Sequence, residues 1–314
     1  MQANINKDML TISKEWLELR RVYIKYSTYI KYKRLIELQL TPFFQECHIQ
    51  DLNEQIVVQF LQKKMEGHYS FSMMASIRFT LKSILNYGEY KYGIPHIDFQ
   101  FIKLNTKKEE TKVLTSFQIQ CLDNYCFHHV ESTSIAITLG LYAGLRIGEI
   151  CALQWKDIDL SLGIINVTKT VQRLENTDQT HSKTSLMVFE PKTETSKRQI
   201  PLPDFMLRHL YKYYSSIGVK DKNHYILSNN ERIIDPRTIQ YRFKKLCTEN
   251  GFSINFHSLR HTYATNCVES GIEIKSLSEM LGHSDIAITL NRYVHSSLKF
   301  KQDQINKIRQ PKIS

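Results

Sequence analysis

The chain has 314 residues and a formal net charge of +11, from 42 lysines and arginines against 31 acids. That length accommodates two domains with separate cores, and that charge suits a polyanionic partner, nucleic acid or an acidic membrane surface. No apolar run approaches the roughly 20 residues needed to span a bilayer, and the first residues hold no apolar signal segment.

The six cysteines (Cys47, Cys121, Cys126, Cys151, Cys247 and Cys267) lack paired spacing. They read as free thiols of a reducing cytosol, not as disulfides or zinc ligands. His128 and His129 lie near Cys121 and Cys126, but no second ligand pair stands at metal-site spacing, so no metal is assigned.

Residues 12 to 100 read as helices. Trp16, Leu17, Leu19, Val22 and Tyr23 begin one apolar face. Ser27-Thr28-Tyr29 offers a capped start to a second helix through Leu40, ended by Pro42. Asn53 caps a third, with Ile56, Val57, Phe60 and Leu61 on its apolar face and Gly67 at its close. A fourth runs from Phe71 to Tyr92, with Ile77, Leu81, Ile84 and Leu85 on one side, stopped by Gly93 and Pro95. A bundle of four or so helices is the economical reading. Lys25, Lys31, Lys33, Arg34, Arg78 and Lys82 fall on the outer faces among Tyr23, Tyr26, Tyr29 and Tyr32. Basic residues are mostly exposed anyway; the functional reading is phosphate contact, with Lys31, Lys33, Arg78 and Lys82 as candidates.

Residues 105–112 are polar, charged and without apolar period, and read as an exposed linker. It separates a domain over 1–104 from one over 113–314. Thr115 and Gln118 form a capping-box pattern that opens the second domain. Ser132 caps the next helix, which runs through Leu139 and ends at Gly144. Arg146 then begins a helix with Ile147, Ile150 and Leu153 inward. Glu149 falls one turn from Arg146 and can hold its guanidinium, where the ordinary alternative is a surface ion pair of little value.

Strand signals follow at Ile164, Ile165 and Val167, at Leu186, Val188 and Phe189, and at Gln199-Ile200. Lys192 falls between the second and third of these, with Lys197 and Arg198 as competing basic candidates. Pro203-Asp204 and Asp235-Pro236 start two helices. His257 starts another, which places His257 and Arg260 one turn apart at a helix N-terminus, an end that favours an anion. His261 lies one turn from His257 in the supporting position. A short helix over Ile274 to Leu281 is closed by Gly282; Ser284 caps the next, which delivers Tyr293; Leu298 to Ile308 forms a last amphipathic helix.

Single pieces of this pattern are common. A His-x-x-Arg pair is usually a solvated face, and a tyrosine usually a packed ring with a wet hydroxyl. The set is more specific: Arg146, Lys192, His257, Arg260, His283 and Tyr293 give several cations or hydrogen-bond donors and one phenol, with no carboxylate cluster among them. Such a set suits an anionic phosphodiester attacked by a tyrosine, because phosphoryl transfer spreads charge over oxygens that fixed donors stabilise. The donor set does not resemble a two-metal nuclease, and no cofactor is expected.

At these residues the sequence resembles the tyrosine recombinases, the phage-integrase family of DNA breaking-and-rejoining enzymes. Gly144-Leu145-Arg146-Ile147-Gly148-Glu149 is similar to the family's first-arginine motif, Pro191-Lys192-Thr193 to its hairpin lysine, and His257-Ser258-Leu259-Arg260 to its His-x-x-Arg motif. Gly282-His283 matches its His/Trp position and Tyr293 its nucleophile. The resemblance implies a mainly α fold with a small β-sheet: an N-terminal helical core-binding domain, a SAM-like bundle, before a mixed α/β catalytic domain. It implies cleavage through a 3′-phosphotyrosyl intermediate with Lys192 as acid, on double-stranded DNA with inverted half-sites. It further implies a tetramer on DNA, an accessory or directionality factor, and a bacterial cytoplasmic, DNA-associated location. The stretch Arg173 to Lys183 exceeds the family minimum and resembles extensions in integrases of conjugative transposons. That favours a mobile-element integrase over a Xer-like resolution recombinase. The readings from other classes are a catalytically silent DNA-binding protein on the same scaffold and a membrane-surface protein; the second lacks a Lys-rich amphipathic helix with an aromatic face.

Overall fold

The computed structural model describes residues 7–45, 47–67, 69–100, 112–176, 182–190 and 197–293, with 302, 305 and 306 as isolated positions. Lys192, all of the expected linker but Lys112, and most of the expected helix over 298–308 lie outside the described residues. The chain divides into two units, Met1–Glu110 and Thr111–Ser314.

In the first unit, helices begin where a side chain can accept one of the unpaired backbone N–H groups. Asp8 accepts from Thr11 at the start of α1 (Met9–Arg21). After α2 (Tyr26–Leu35), the path continues through a π turn, Ile36–Leu40, into the short α3 (Thr41–Phe44). Pro42 therefore does not end the helical path as its sequence position suggests. It sits in the first turn of α3, where a missing N–H costs nothing. Nor does Ser27 cap α2, whose N-cap is Lys25. Asn53 and Ser70 cap α4 (Glu54–Glu66) and α5 (Phe71–Tyr92), and Gly93 ends α5 in the left-handed conformation at φ 64°. Their apolar stripes meet in one core, with Trp16, Phe44, Phe60, Ile77 and Leu81 at its centre.

The second unit is wrapped around a buried helix. Thr115 and Gln118 make the expected capping box for α6 (Ser116–His128). α7 (Ser132–Tyr142) is apolar nearly all round and buried along most of its length, as a central helix must be. Its N-cap is Glu131, not Ser132; the Ser134 hydroxyl accepts the Glu131 N–H. Gly144 then turns the chain at φ 63°, and a Cβ there would stand 2.4 Å from the Tyr263 ring. α8 (Ile147–Ala152) follows with Arg146 as its N-cap.

The described residues form two small antiparallel sheets. One has the order β1 (Ile158–Asp159), β2 (Ile164–Val167) and β5 (Arg198–Pro201), with Ile165 opposite both Ile158 and Ile200. The other pairs β3 (Thr170–Glu175) with β4 (Thr184–Phe189), from Thr170 opposite Phe189 to Glu175 opposite Thr184. The long stretch from Arg173 thus continues a hairpin, and β4 joins β3 instead of β5. α9 (Asp204–Ile217), α10 (Pro236–Glu249), α11 (His257–Glu269), α12 (Ile274–Leu281) and α13 (Ile286–Tyr293) complete the unit. The Asp285 side chain, not that of Ser284, accepts a backbone N–H at the start of α13.

Candidate functional site

The site is built on the end of α12. Carbonyls at a helix C-terminus lack helical partners and carry the negative end of the helix dipole. Here three successive carbonyls each accept from a different arginine. Arg198 Nε donates to Met280 O at 2.6 Å, Arg260 Nη2 to Leu281 O at 2.5 Å, and Arg146 Nη2 to Gly282 O at 3.4 Å. Gly282 makes this possible twice over: it sits at φ 60°, and a Cβ there would stand 3.1 Å from the Arg198 side chain.

Glu149 is the one carboxylate bonded to this cluster among the described residues, and it is buried. Its two oxygens accept from Arg198 at 3.1 and 2.9 Å, from Arg146 Nη1 at 2.8 Å and from the Arg146 N–H at 2.9 Å. Burial pushes its pKa up, but the hydrogen bonds and charge of Arg198, then Arg146 and Arg260, outweigh burial and hold it at about 2. The carboxylate is therefore ionised at neutral pH and orients two guanidiniums at once. Arg260 is 2% exposed and also donates to Gly144 O at 2.7 Å. Burial and the neighbouring Arg146 charge push its pKa down to about 9, against the pull of Glu149, so it too is charged at neutral pH. Arg198 and Arg260 are enclosed, whereas the Arg146 side chain is 37% exposed. Three guanidiniums against one carboxylate leave a positive excess that an anion can neutralise.

The imidazoles and the phenol line one side of α11 and the start of α13. Asn255 accepts the Ser258 N–H and fixes the start of α11, leaving His257 exposed in its first turn. His261, one turn on, meets the His257 ring edge-on at 4.5 Å. The hydroxyl of Tyr293 lies 2.7 Å from His261 Nδ1, and the phenol ring is buried. The His283 ring runs parallel to the Tyr293 ring at 6.4 Å, and its Nδ1 lies 2.8 Å from the hydroxyl of buried Thr289.

The structure thus gathers Arg146, Glu149, His257, Arg260, His261, His283 and Tyr293 around α11, the end of α12 and α13. Sequence reasoning weighed Arg198 only as a substitute for Lys192; its guanidinium is instead committed to Glu149 and Met280. The signal was present but faint, since Arg198 opens a strand whose partner, Val167, faces it across the sheet. Beside Arg198 and His283 lies an open concavity rimmed by Lys197, Gln199 and Lys275. In the first unit, Lys31 donates to the Ser76 hydroxyl, Lys33 pairs with Glu37 at 3.9 Å, and Arg78 donates to Phe99 O at 2.6 Å. Lys82 stands 5.9 Å from the Phe99 ring centre. Among the described residues, no three His, Cys, Asp or Glu side chains group as a metal site requires, and no helix is long and apolar enough to cross a membrane.

Residues 112–299 match the model of the phage integrase family, and residues 11–65 match that of the phage integrase N-terminal SAM-like domain. A tyrosine recombinase XerC-like protein of Caldanaerobacter subterraneus is 30% identical over 181 residues, 53% of this chain and 46% of that protein. Most such curated relatives are matched over about half their length. The fold is similar to that of the Tn1549 transposon integrase in complex with transposon right end DNA, with TM-score 0.81 and 20% identity over 96% of this chain and 99% of that one. It is also similar to that of a lambda integrase tetramer bound to a Holliday junction, with TM-score 0.66 and 16% identity over 94% and 81% of the two chains.

Proposed function

The chain belongs to the phage integrase family, and from that premise we propose that it is a tyrosine-type site-specific DNA recombinase, using Tyr293 to break and rejoin DNA strands. The observation that carries the proposal is the meeting of Arg146, Arg260 and Glu149 at the end of α12, with the Tyr293 hydroxyl bonded to His261 on α11, the helix that carries Arg260.

A free phenol, with pKa about 10, is a poor nucleophile at neutral pH. The positive excess of the arginine cluster draws in a backbone phosphate and stabilises the charge on its oxygens as the Tyr293 O–P bond forms. By analogy with oxyanion-hole deletions, each well-placed donor contributes roughly 3 to 4 kcal/mol to the transition state. Arg146 and Arg260 serve the nonbridging oxygens, with Glu149 holding Arg146 in place. His257 and His283 add donors. Lys192 supplies the proton for the departing 5′ oxygen. The phosphotyrosyl bond conserves the energy of the cleaved diester, so neither ATP nor a metal is needed.

Two domains, 1–104 and 113–314 with a linker over 105–112, would both bind the duplex, the first through phosphate contacts among Lys31, Lys33, Arg78 and Lys82. Inverted half-sites and four protomers complete the reaction between two duplexes. The fold likeness to a transposon integrase and the β3–β4 hairpin favour integration and excision of a mobile element. The identity to a XerC-like recombinase favours the second reading, resolution of replicons. The test is a nicked half-site duplex taken from DNA that the protein protects in a footprint. A covalent adduct that survives detergent and is lost in Y293F supports the proposal; no adduct, or one that persists in Y293F, overturns it.

A further inference from the structure

We propose, building on the recombinase reading, that His261 accepts the Tyr293 phenol proton during cleavage and returns it during rejoining. The observation is the 2.7 Å separation of His261 Nδ1 and the Tyr293 hydroxyl, within the range for direct proton transfer. The other imidazoles are placed for other work. His283 Nδ1 is engaged with Thr289, and His257 stands exposed in the first turn of α11, where an oxygen of a bound anion can reach it.

The surroundings fit a group that gains and loses a proton. On its own helix, His261 has His257 in ring contact and Arg260 as its neighbour in sequence. Tyr293 faces it from α13, and the His283 ring runs parallel to the phenol at 6.4 Å. From α12, Leu277 and Leu281 share the buried cluster that holds the Tyr293 ring, and α7 carries no charged residue. Beside Arg260, the cluster at the end of α12 adds Arg146, Glu149 and Arg198. With its ring proton on Nε2, neutral His261 presents a lone pair on Nδ1 to the phenol O–H.

The step balances. The Tyr293 O–P bond forms and the P–O5′ bond breaks; the phenol proton passes to His261, and the departing 5′ oxygen takes its proton from Lys192. An imidazolium is left beside the new phosphotyrosyl ester. In rejoining, the 5′ hydroxyl bonds to phosphorus and gives its proton back to the neutral Lys192 amine, the Tyr293 O–P bond breaks, and the imidazolium returns its proton to the departing phenolate.

The full-length protein and the nicked half-site duplex provide the test, through single-turnover rates of adduct formation from about pH 5.5 to about 9, across the imidazole range. In H261N the Asn oxygen can still accept the hydroxyl's hydrogen bond but cannot take up its proton. The expected result is a rate about 10²-fold lower. The fall in rate expected of the parent on the acid side of that range should also disappear. Added imidazole should then restore the rate of H261A in proportion to its unprotonated form. A rate in H261N within about threefold of the parent, well short of a general-base loss, overturns the assignment. A slower rate that keeps the acid-side fall also overturns it, leaving His261 as a positioning residue. Should H261N lose its thermal transition, H261Q gives the same comparison. If the parent forms no adduct, the recombinase reading itself fails; if Y293F loses an adduct that H261N forms normally, only the assignment of His261 fails.

Discussion

Each unit of the molecule contains a glutamate held by several cations, and the two clusters differ in how much water reaches them. In the first unit, Glu15 accepts from Lys7 at 2.7 Å and Lys91 at 2.9 Å, with the Tyr92 hydroxyl also bonded to it. In the second, Glu149 accepts from Arg146 and Arg198. Both carboxylates are held at a pKa of about 2: Glu15 by its hydrogen bonds from Lys7, Tyr92 and Lys91, Glu149 by arginines that overcome its burial. The Glu15 side chain is 27% exposed and that of Glu149 is 6% exposed. A similar titration therefore has different consequences. Water and salt screen the lysine cluster, whereas the arginine cluster sits where an unpaired charge is costly. Lysine is a mobile point charge; the planar guanidinium can grip a carboxylate with two atoms and a carbonyl with a third, as Arg198 does.

The largest effect should come from the most enclosed cation. R260K keeps a charge but cannot reach both Gly144 O and Leu281 O, so strand cleavage should fall about 10²- to 10³-fold, measured as the single-turnover rate of adduct formation. A rate near the parent's would mean that the carbonyl grip is irrelevant to chemistry. Next, E149Q leaves Arg198 enclosed without its counter-charge, which should cost roughly 3 to 5 kcal/mol and lower the melting temperature of the second unit by roughly 10 °C. The pH dependence has a definite sign. The folded-state pKa of Glu149 lies below the unfolded value, so its contribution is complete above about pH 4.5 and is lost as pH falls towards about 2. Parent and E149Q should therefore converge in stability across that window, and parallel curves there would contradict the pairing.

R198K sharpens the contrast between the two kinds of cation. It should leave DNA binding nearly intact and slow cleavage about tenfold, as a slightly misplaced Arg146 would. Equal cleavage rates would show that Arg146 is oriented without the Arg198–Glu149 bond. The smallest effect belongs to E15Q, with a melting shift of no more than a few degrees. That shift should vanish at about 1 M salt, while the E149Q shift persists.

Much of this was legible in the sequence because it is local. The Thr115–Gln118 capping box, the Asn53 cap, the Gly282 stop and the spacing of Arg146 to Glu149 each depend on residues within one helical turn. What escaped the reading is non-local or permissive. Arg198 meets Glu149 across 49 positions of sequence, so nothing near it reports the partner. β3 is mostly polar, with only Val171 and Leu174 apolar, and declares itself only through its pairing with β4. Pro42 reads as a stop, yet a π turn places it in a first turn that tolerates it. Ser284 reads as the cap of α13, yet the side chain that accepts a backbone N–H there is that of the next residue, Asp285.

The most direct measurement is the chemical identity of the protein–DNA link. The parent protein is trapped on the nicked half-site duplex, digested, and the peptide bearing nucleotide is sequenced by mass spectrometry. The expected result is a 3′-phosphate ester on the Tyr293 side chain and nowhere else. A link at another residue, or strand cleavage with no link at all, would contradict the account.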